Sequence, residues 1–356
     1  MTDMPREEGI DNTRDLINDP YRYIAKTSAE HDSDVFQARI LLEDTICMTG
    51  RDAAELFYDE SLFSRRGAMP GLILHTLLGT DGVQGLDYEA HRHRKETFME
   101  VLTQPEDLEK LTEIAERYWQ EYAQRWTLQD EVVLFDELNE LLTRTVCEWA
   151  GVPLEPDEIP ERTRQLRAMY DSAASVSVKH LQSRMARTIS TQWAEDLIQQ
   201  VRENPAVAPE NSILHTWAQH RGPQGNLLEL HTAATELINV LRPTVAVAVY
   251  IVFVARALHR HPEMREKVMA NTNNYRTHFV QEVRRMVPFF PMVAAVTRED
   301  FEHEGCPFHK DTRVLLDLYG TNHDERLWDD PDEFRPERFE NWDGDLFSFI
   351  PQGGGN

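Results

Sequence analysis

The sequence predicts a mainly α-helical protein with small β-sheets. Three observations carry that prediction. Apolar residues recur at helical spacing along most of the chain. Strand-like stretches are few and short. The most apolar long segment, residues 227–258, has the length of a helix rather than a strand. With 356 residues, 41% of them hydrophobic, the chain can bury a large core. No composition shift or internal repeat divides it, so residues 1–356 are expected to belong to a single domain.

The elements follow in order. Residues 34–40 and 43–48 read as a hairpin. Leu108, Leu111, Ile114, Ala115, Tyr118 and Tyr122 mark one helical arc, with Thr103 and Glu106 spaced as a capping box and Pro105 in the first turn. Residues 133–150 form a second helix, closed by Gly151 and followed by Pro153. Two long helices are expected over 178–203 and 227–258, and another over 274–287, stopped by Pro288. Residues 292–297 and 313–318 are strand-like and can pair.

Charge narrows the partners. The net charge of −25 repels nucleic-acid phosphates and anionic membrane. The uncharged run 245–255 is read as too short to span a bilayer, and the polar start of the chain reads as neither signal nor anchor. A cytoplasmic location is expected. Cys47, Cys147 and Cys306 are odd in number and widely spaced, which indicates neither a disulfide framework nor a zinc site. The helical pairs His91/His93 and His259/His261 point their members apart and chelate poorly.

The most informative residues are Arg242 and Pro243, side by side in the apolar segment. A mid-helix proline costs about 3 kcal/mol. A buried guanidinium stays charged and calls for an anion. The bland alternative is an arginine that snorkels to the surface. A second pair, Glu282 and Arg285, lies three apart on the helix before Pro288 and taken alone reads as a surface ion pair.

Other stretches change that reading. Phe334-Arg335-Pro336-Glu337-Arg338-Phe339 follows, and then Phe349-Ile350-Pro351-Gln352-Gly353-Gly354-Gly355. The order E-x-x-R, P-E-R-F, aromatic and glycine-rich loop resembles the cytochrome P-450 superfamily over nearly the whole chain. The resemblance implies that fold, haem b as cofactor, and a structural triad of Glu282, Arg285 and Arg338 that holds the loop presenting a cysteine thiolate to iron. Asp87-Tyr88-Glu89-Ala90-His91 followed by Lys95 resembles the family's propionate-binding helix, with lysine in place of arginine. His91 and Lys95, four apart, share a helix face; the competing reading is a basic solvated face. The axial cysteine has no match among the residues present, so the metal ligand is expected beyond Asn356 and the chain is read as part of a longer product, binding haem poorly by itself. Gly305-Cys306-Pro307 imitates the ligand loop but precedes P-E-R-F, where the family has no ligand.

Where most of the superfamily carries an acid–alcohol pair, this chain has Arg242-Pro243, which resembles the fatty-acid peroxygenase branch. Residues 236–241 and 316–324 match the same branch. The resemblance implies hydrogen peroxide as oxidant, a long-chain fatty acid as substrate, no obligatory reductase, and hydroxylation at the α or β carbon. Peroxide heterolysis needs a proton moved between oxygens. Arginine cannot move it, but can bind a carboxylate that does. Gln84 matches a position where glutamine is typical of hydroxylating members and histidine of decarboxylating ones, so decarboxylation is expected to be minor. Leu78 and Phe289 match tail- or pocket-lining positions, and either could be ordinary core. The rival readings are a reductase-dependent monooxygenase of the same superfamily and a non-catalytic lipid- or haem-binding remnant.

Overall fold

Helical periodicity becomes helix through most of the chain. The computed structural model describes residues 4–171 and 178–355. They form two units: the residues up to Met69 together with those from Phe253 onward, and Pro70–Val252.

The Pro70–Val252 unit is helical. Its main elements are α1 (Tyr88–Thr103), α2 (Pro105–Trp126), α3 (Leu134–Ala150), α4 (Ile159–Asp171), α5 (Val178–Glu203), α6 (Ile213–Gln219) and α7 (Leu230–Ala246). Helix α7 packs on α3, α4, α5 and α6. Every residue from Ala233 to Arg242 is buried, as a helix surrounded on all sides requires. Leu138, Val146, Ile198 and Trp217 belong to the same core. The α3 C-terminus closes at Gly151 in the left-handed region (φ 72°), where Val152 N–H donates to the Cys147 carbonyl at 2.8 Å. Cys147 is a fully buried core residue whose thiol pKa is pushed up to about 12 by burial.

Two expectations need correction here. The capping box does not form. Thr103 ends α1, its hydroxyl donates to the Met99 carbonyl at 2.6 Å, and Gln104 caps α2. Pro105 excludes the helical conformation from the residue before it, so the chain turns at Gln104 instead. The single helix over 227–258 is two. Leu227 pairs with Arg221 in an isolated bridge, α7 starts at Leu230, and Val247 separates it from α8 (Ala248–Arg260). The break falls one turn after Pro243, which has no N–H for the Asn239 carbonyl. The Thr244 hydroxyl donates back to the Val240 carbonyl at 2.9 Å, a bond that bends helices. The uncharged run 245–255 lies within Leu230–Arg260, 31 residues that are long and apolar enough by length and composition to cross a membrane. Of its most apolar window, 56% is buried inside the protein, as in a core helix.

The other unit holds the strands β1 (Val35–Ile40), β2 (Glu43–Met48), β3 (Phe63–Ser64), β4 (Met292–Thr297), β5 (Phe301–His303), β6 (Cys306–Phe308) and β7 (Arg313–Asp317). The larger sheet has the order β1-β2-β7-β4-β3, antiparallel except for β2–β7. The β1–β2 turn, Leu41-Leu42, has positive φ at both residues (54° and 63°) without glycine or asparagine. It is held from outside the hairpin: Leu41 N–H donates to the Thr13 hydroxyl at 2.5 Å and Leu42 N–H to the Asp11 carboxylate at 2.6 Å. Cys306 lies in the small β5–β6 hairpin, whose turn is Glu304-Gly305. Two helices of this unit matter below, α9 (Tyr275–Met286) and α10 (Leu318–Asn322).

Candidate functional site

Arg242 is 5% exposed on α7. Among the described residues no carboxylate pairs with it, and its Nε has no hydrogen-bond partner. Burial, with the positive charge of Arg187 added, pushes its pKa down to about 9. Arg187, on α5, is also 5% exposed and donates to the carbonyls of Leu77 and Leu78, both at 3.4 Å. Burial holds its pKa near 10, with the charge of Glu236 pulling the other way. Both groups remain cations at neutral pH, so the unit buries two positive charges. Pro243 and Val247, one turn apart beside this buried stretch, are exposed.

A polar chain runs next to Arg242. Glu236 is fully buried and meets Arg94 at 3.1 Å. The Asn239 amide donates to Glu236 at 3.1 Å and approaches Gln84 Oε1 at 3.4 Å, while its own Oδ1 has no partner among the described residues. Burial raises the Glu236 pKa, against hydrogen bonds from Asn239 and Arg94. Gln84 sits in the short 3-10 turn Val83–Gly85. A Cβ on Gly82 would lie 2.8 Å from both the Asn239 amide nitrogen and Gln84 Oε1, so glycine permits this approach. Leu78, half-buried, ends a single π-helical turn, Leu74–Leu78.

His91 and Lys95 are half-buried on one face of α1. The basic run around them does not form one solvated face. Arg94 turns to Glu236, and His93 meets the Arg221 carbonyl at 2.9 Å and lies against the His220 ring, centroids 5.2 Å apart. An imidazole and an ammonium on one partly covered face form a donor set suited to an anionic cofactor edge.

In the strand-bearing unit, Glu282, Arg285 and Arg338 come together. Arg285 donates to Glu282 twice, at 2.8 and 2.9 Å, and both side chains are fully buried. Arg338 Nε adds a bond to Glu282 at 3.1 Å, and the Arg335 N–H another at 2.9 Å. Arg285 also donates to the carbonyls of Asn322 (2.8 Å) and Pro331 (2.7 Å). Asn322 Oδ1 in turn accepts the Ile350 N–H at 3.0 Å. The cluster thus fastens α9, the end of α10 and the 329–338 loop, and through Asn322 the start of the glycine-rich segment. Phe289 is half-buried and edge-on to Phe290; its N–H donates to the Pro351 carbonyl at 3.2 Å and its carbonyl accepts from Tyr21 at 3.2 Å.

Sequence reasoning missed Arg94, Arg187, Glu236 and Asn239 as members of the site. Glu236 and Asn239 carried a usable signal, two polar residues three apart inside an apolar helix. Arg94 was lost in its basic run, and Arg187 had no local signal.

The family model Cytochrome P-450 matches residues 192–356. Cytochrome P-450SP alpha (CYP152B1), solved in complex with (R)-ibuprofen, has a TM-score of 0.95 and 49% identity, covering 98% of this chain and 85% of that one. Cytochrome P-450EX alpha (CYP152N1), solved with myristic acid, has a TM-score of 0.94 and 41% identity, covering 99% of this chain and 85% of that one. Cytochrome P-450 71D94 of Mentha gracilis is 38% identical over 85 residues, 23% of this chain and 17% of the relative. The chain thus spans about a sixth of that curated relative's length. The chain belongs to the cytochrome P-450 family of haem oxidoreductases, in its fatty-acid peroxygenase branch.

Proposed function

We propose that the protein acts as a haem-thiolate fatty-acid peroxygenase, using hydrogen peroxide to hydroxylate long-chain fatty acids at the α or β carbon. Arg242 carries the reading: a cation 5% exposed, with no carboxylate partner among the described residues. A buried charge is costly unless a partner is supplied. A fatty-acid carboxylate supplies one, through paired charge-assisted hydrogen bonds to the guanidinium. The ligands named with the two CYP152 structures, (R)-ibuprofen and myristic acid, are both carboxylic acids, which supports the same assignment.

The residues present suit haem b in part. His91 and Lys95 would hold its propionates, and the three cysteines lie outside the glycine-rich loop. Bound through a thiolate, haem supplies peroxide O–O cleavage and oxygen transfer to carbon. The chain's own side chains do the rest. Arg242 binds and orients the acid; its guanidinium stays protonated and so offers no base to carry a proton. Arg242 would hold the substrate carboxylate where it can serve as the acid–base that the peroxide needs. A carboxylate held at Arg242 limits oxidation to carbons near the acid end. Pro243 shapes the helix there, and Gln84, tied to Asn239, favours hydroxylation with little decarboxylation. Leu78, in the same unit as Arg242, contacts the alkyl tail. Glu282, Arg285 and Arg338 brace, through Asn322, the start of the glycine-rich segment. The proposed chemistry requires no reductase.

The test is turnover of myristic acid by the haem-loaded protein with hydrogen peroxide and no reductase, products read by mass spectrometry. Hydroxylation at carbon 2 or 3, lost in Arg242→Ala with haem retained, is expected. Oxidation that requires a reductase and ignores peroxide would overturn the reading.

A further inference from the structure

We propose that a polar pocket in the helical unit, whose wall does not include Arg242, binds a small oxyanion of the carboxylate or phosphate type. The pocket has a volume of about 350 Å³ and lies between α5, α7 and the segment before α1. Its wall includes His75, Arg184, Arg187, Glu195, His231 and Thr235. On a chain with 62 acidic and 37 basic residues, two arginines and two histidines face one carboxylate here. That carboxylate is engaged: His231 Nδ1 lies 2.7 Å from Glu195.

Two groups in the wall lack what an oxyanion would give them. Arg187 is 5% exposed, and its two hydrogen bonds, both 3.4 Å long, go to neutral carbonyls. Among the described residues no carboxylate lies within ion-pair distance of it. Thr235 is 1% exposed, and among the described residues its hydroxyl has no partner. A buried cation and a buried hydroxyl left unmatched are both costly. One oxyanion can accept from both. The approach is built into the backbone: Gly79 has φ +81°, and a Cβ there would lie 2.4 Å from Arg187 Nη2 and 2.8 Å from the Thr235 methyl. The polar wall of hydroxyls and charges leaves no bed for a long alkyl chain, so the ligand is small or presents only its head.

The experiment is calorimetric titration of the haem-loaded Arg242→Ala protein with inorganic phosphate and, separately, with acetate, at constant ionic strength against chloride. Using Arg242→Ala removes the substrate anchor proposed above, so failure here leaves that reading untouched. Saturable one-to-one binding of at least one probe is expected, weakened about tenfold or more by Arg184→Gln and by Arg187→Gln. Arg184 is exposed, so its variant reports even where Arg187→Gln does not fold. Phosphate alone binding assigns a phosphate ligand, and acetate alone a carboxylate. No binding, a response matched by chloride, or equal affinity in wild-type and variant pockets would overturn the site.

Discussion

Arg94 meets the fully buried carboxylate of Glu236 at 3.1 Å. This bond joins α1, which carries His91 and Lys95, to α7, which carries Arg242. Breaking one side of a buried ion pair leaves an uncompensated charge. Arg94→Met should therefore destabilise the protein by about 3 kcal/mol, and adding Glu236→Gln should restore most of the loss. Urea unfolding of the two variants checks this; equal stability of the single and double variants would contradict it.

Arg242→Lys keeps a cation but loses the planar fork that grips a carboxylate at two points. In peroxide-driven turnover of long-chain acids, kcat/KM should fall by about tenfold or more. Unchanged kinetics would show that the guanidinium geometry plays no part.

Glu282 is the shared acceptor of Arg285 and Arg338. Glu282→Ala leaves two covered guanidiniums without their carboxylate and should cost about 3–5 kcal/mol. Arg338→Ala should cost less, because the two Arg285–Glu282 bonds survive it. Denaturation midpoints rank the two variants, and the reverse order would show that Arg338 is the main clamp.

Gln84 accepts from Asn239 at 3.4 Å. Gln84→His is expected to raise the share of terminal alkene over hydroxy acid, measured by product analysis under identical peroxide supply. An unchanged product ratio would remove Gln84 from the selectivity argument.

Asp317 is 2% exposed, and burial pushes its carboxyl pKa from 3.8 up to about 7. The folded chain then holds this proton more tightly than the unfolded chain. The group's contribution is complete below about pH 4 and is lost as pH rises through about 7. Asp317→Asn, neutral throughout, should flatten the fall in thermal midpoint across that interval; an unaltered slope would clear Asp317 of the effect.

Much of this arrangement was legible in the residues. Gly151 closes α3 and Pro288 follows α9, because caps and breakers act within one turn of themselves. The hairpin and the β4–β7 pairing followed from alternation. That β2 pairs with β7 in parallel, joining the N-terminal hairpin to the later strands, was not legible, since strand partners far apart in sequence leave no local mark. The Thr103–Glu106 spacing misled because it satisfied one rule while Pro105 enforced another.

Glu282 and Arg285 show the same division. Their spacing placed them side by side, but only the packing of Asn322, Pro331 and Arg338 around them made the pair buried rather than superficial. Arg242-Pro243 announced itself by its cost within an apolar helix. That Arg187 is buried in the same unit, and that Arg94 is spent on Glu236, came only with the folded chain. The sequence by itself determined most of the helices, the ends marked by Gly151 and Pro288, and the presence of an unmatched cation, because periodicity, breakers and residue charge are local properties. Tertiary structure decided which charges are paired and which are left waiting, because a charge's partner and its distance from water depend on segments brought together from anywhere along the chain.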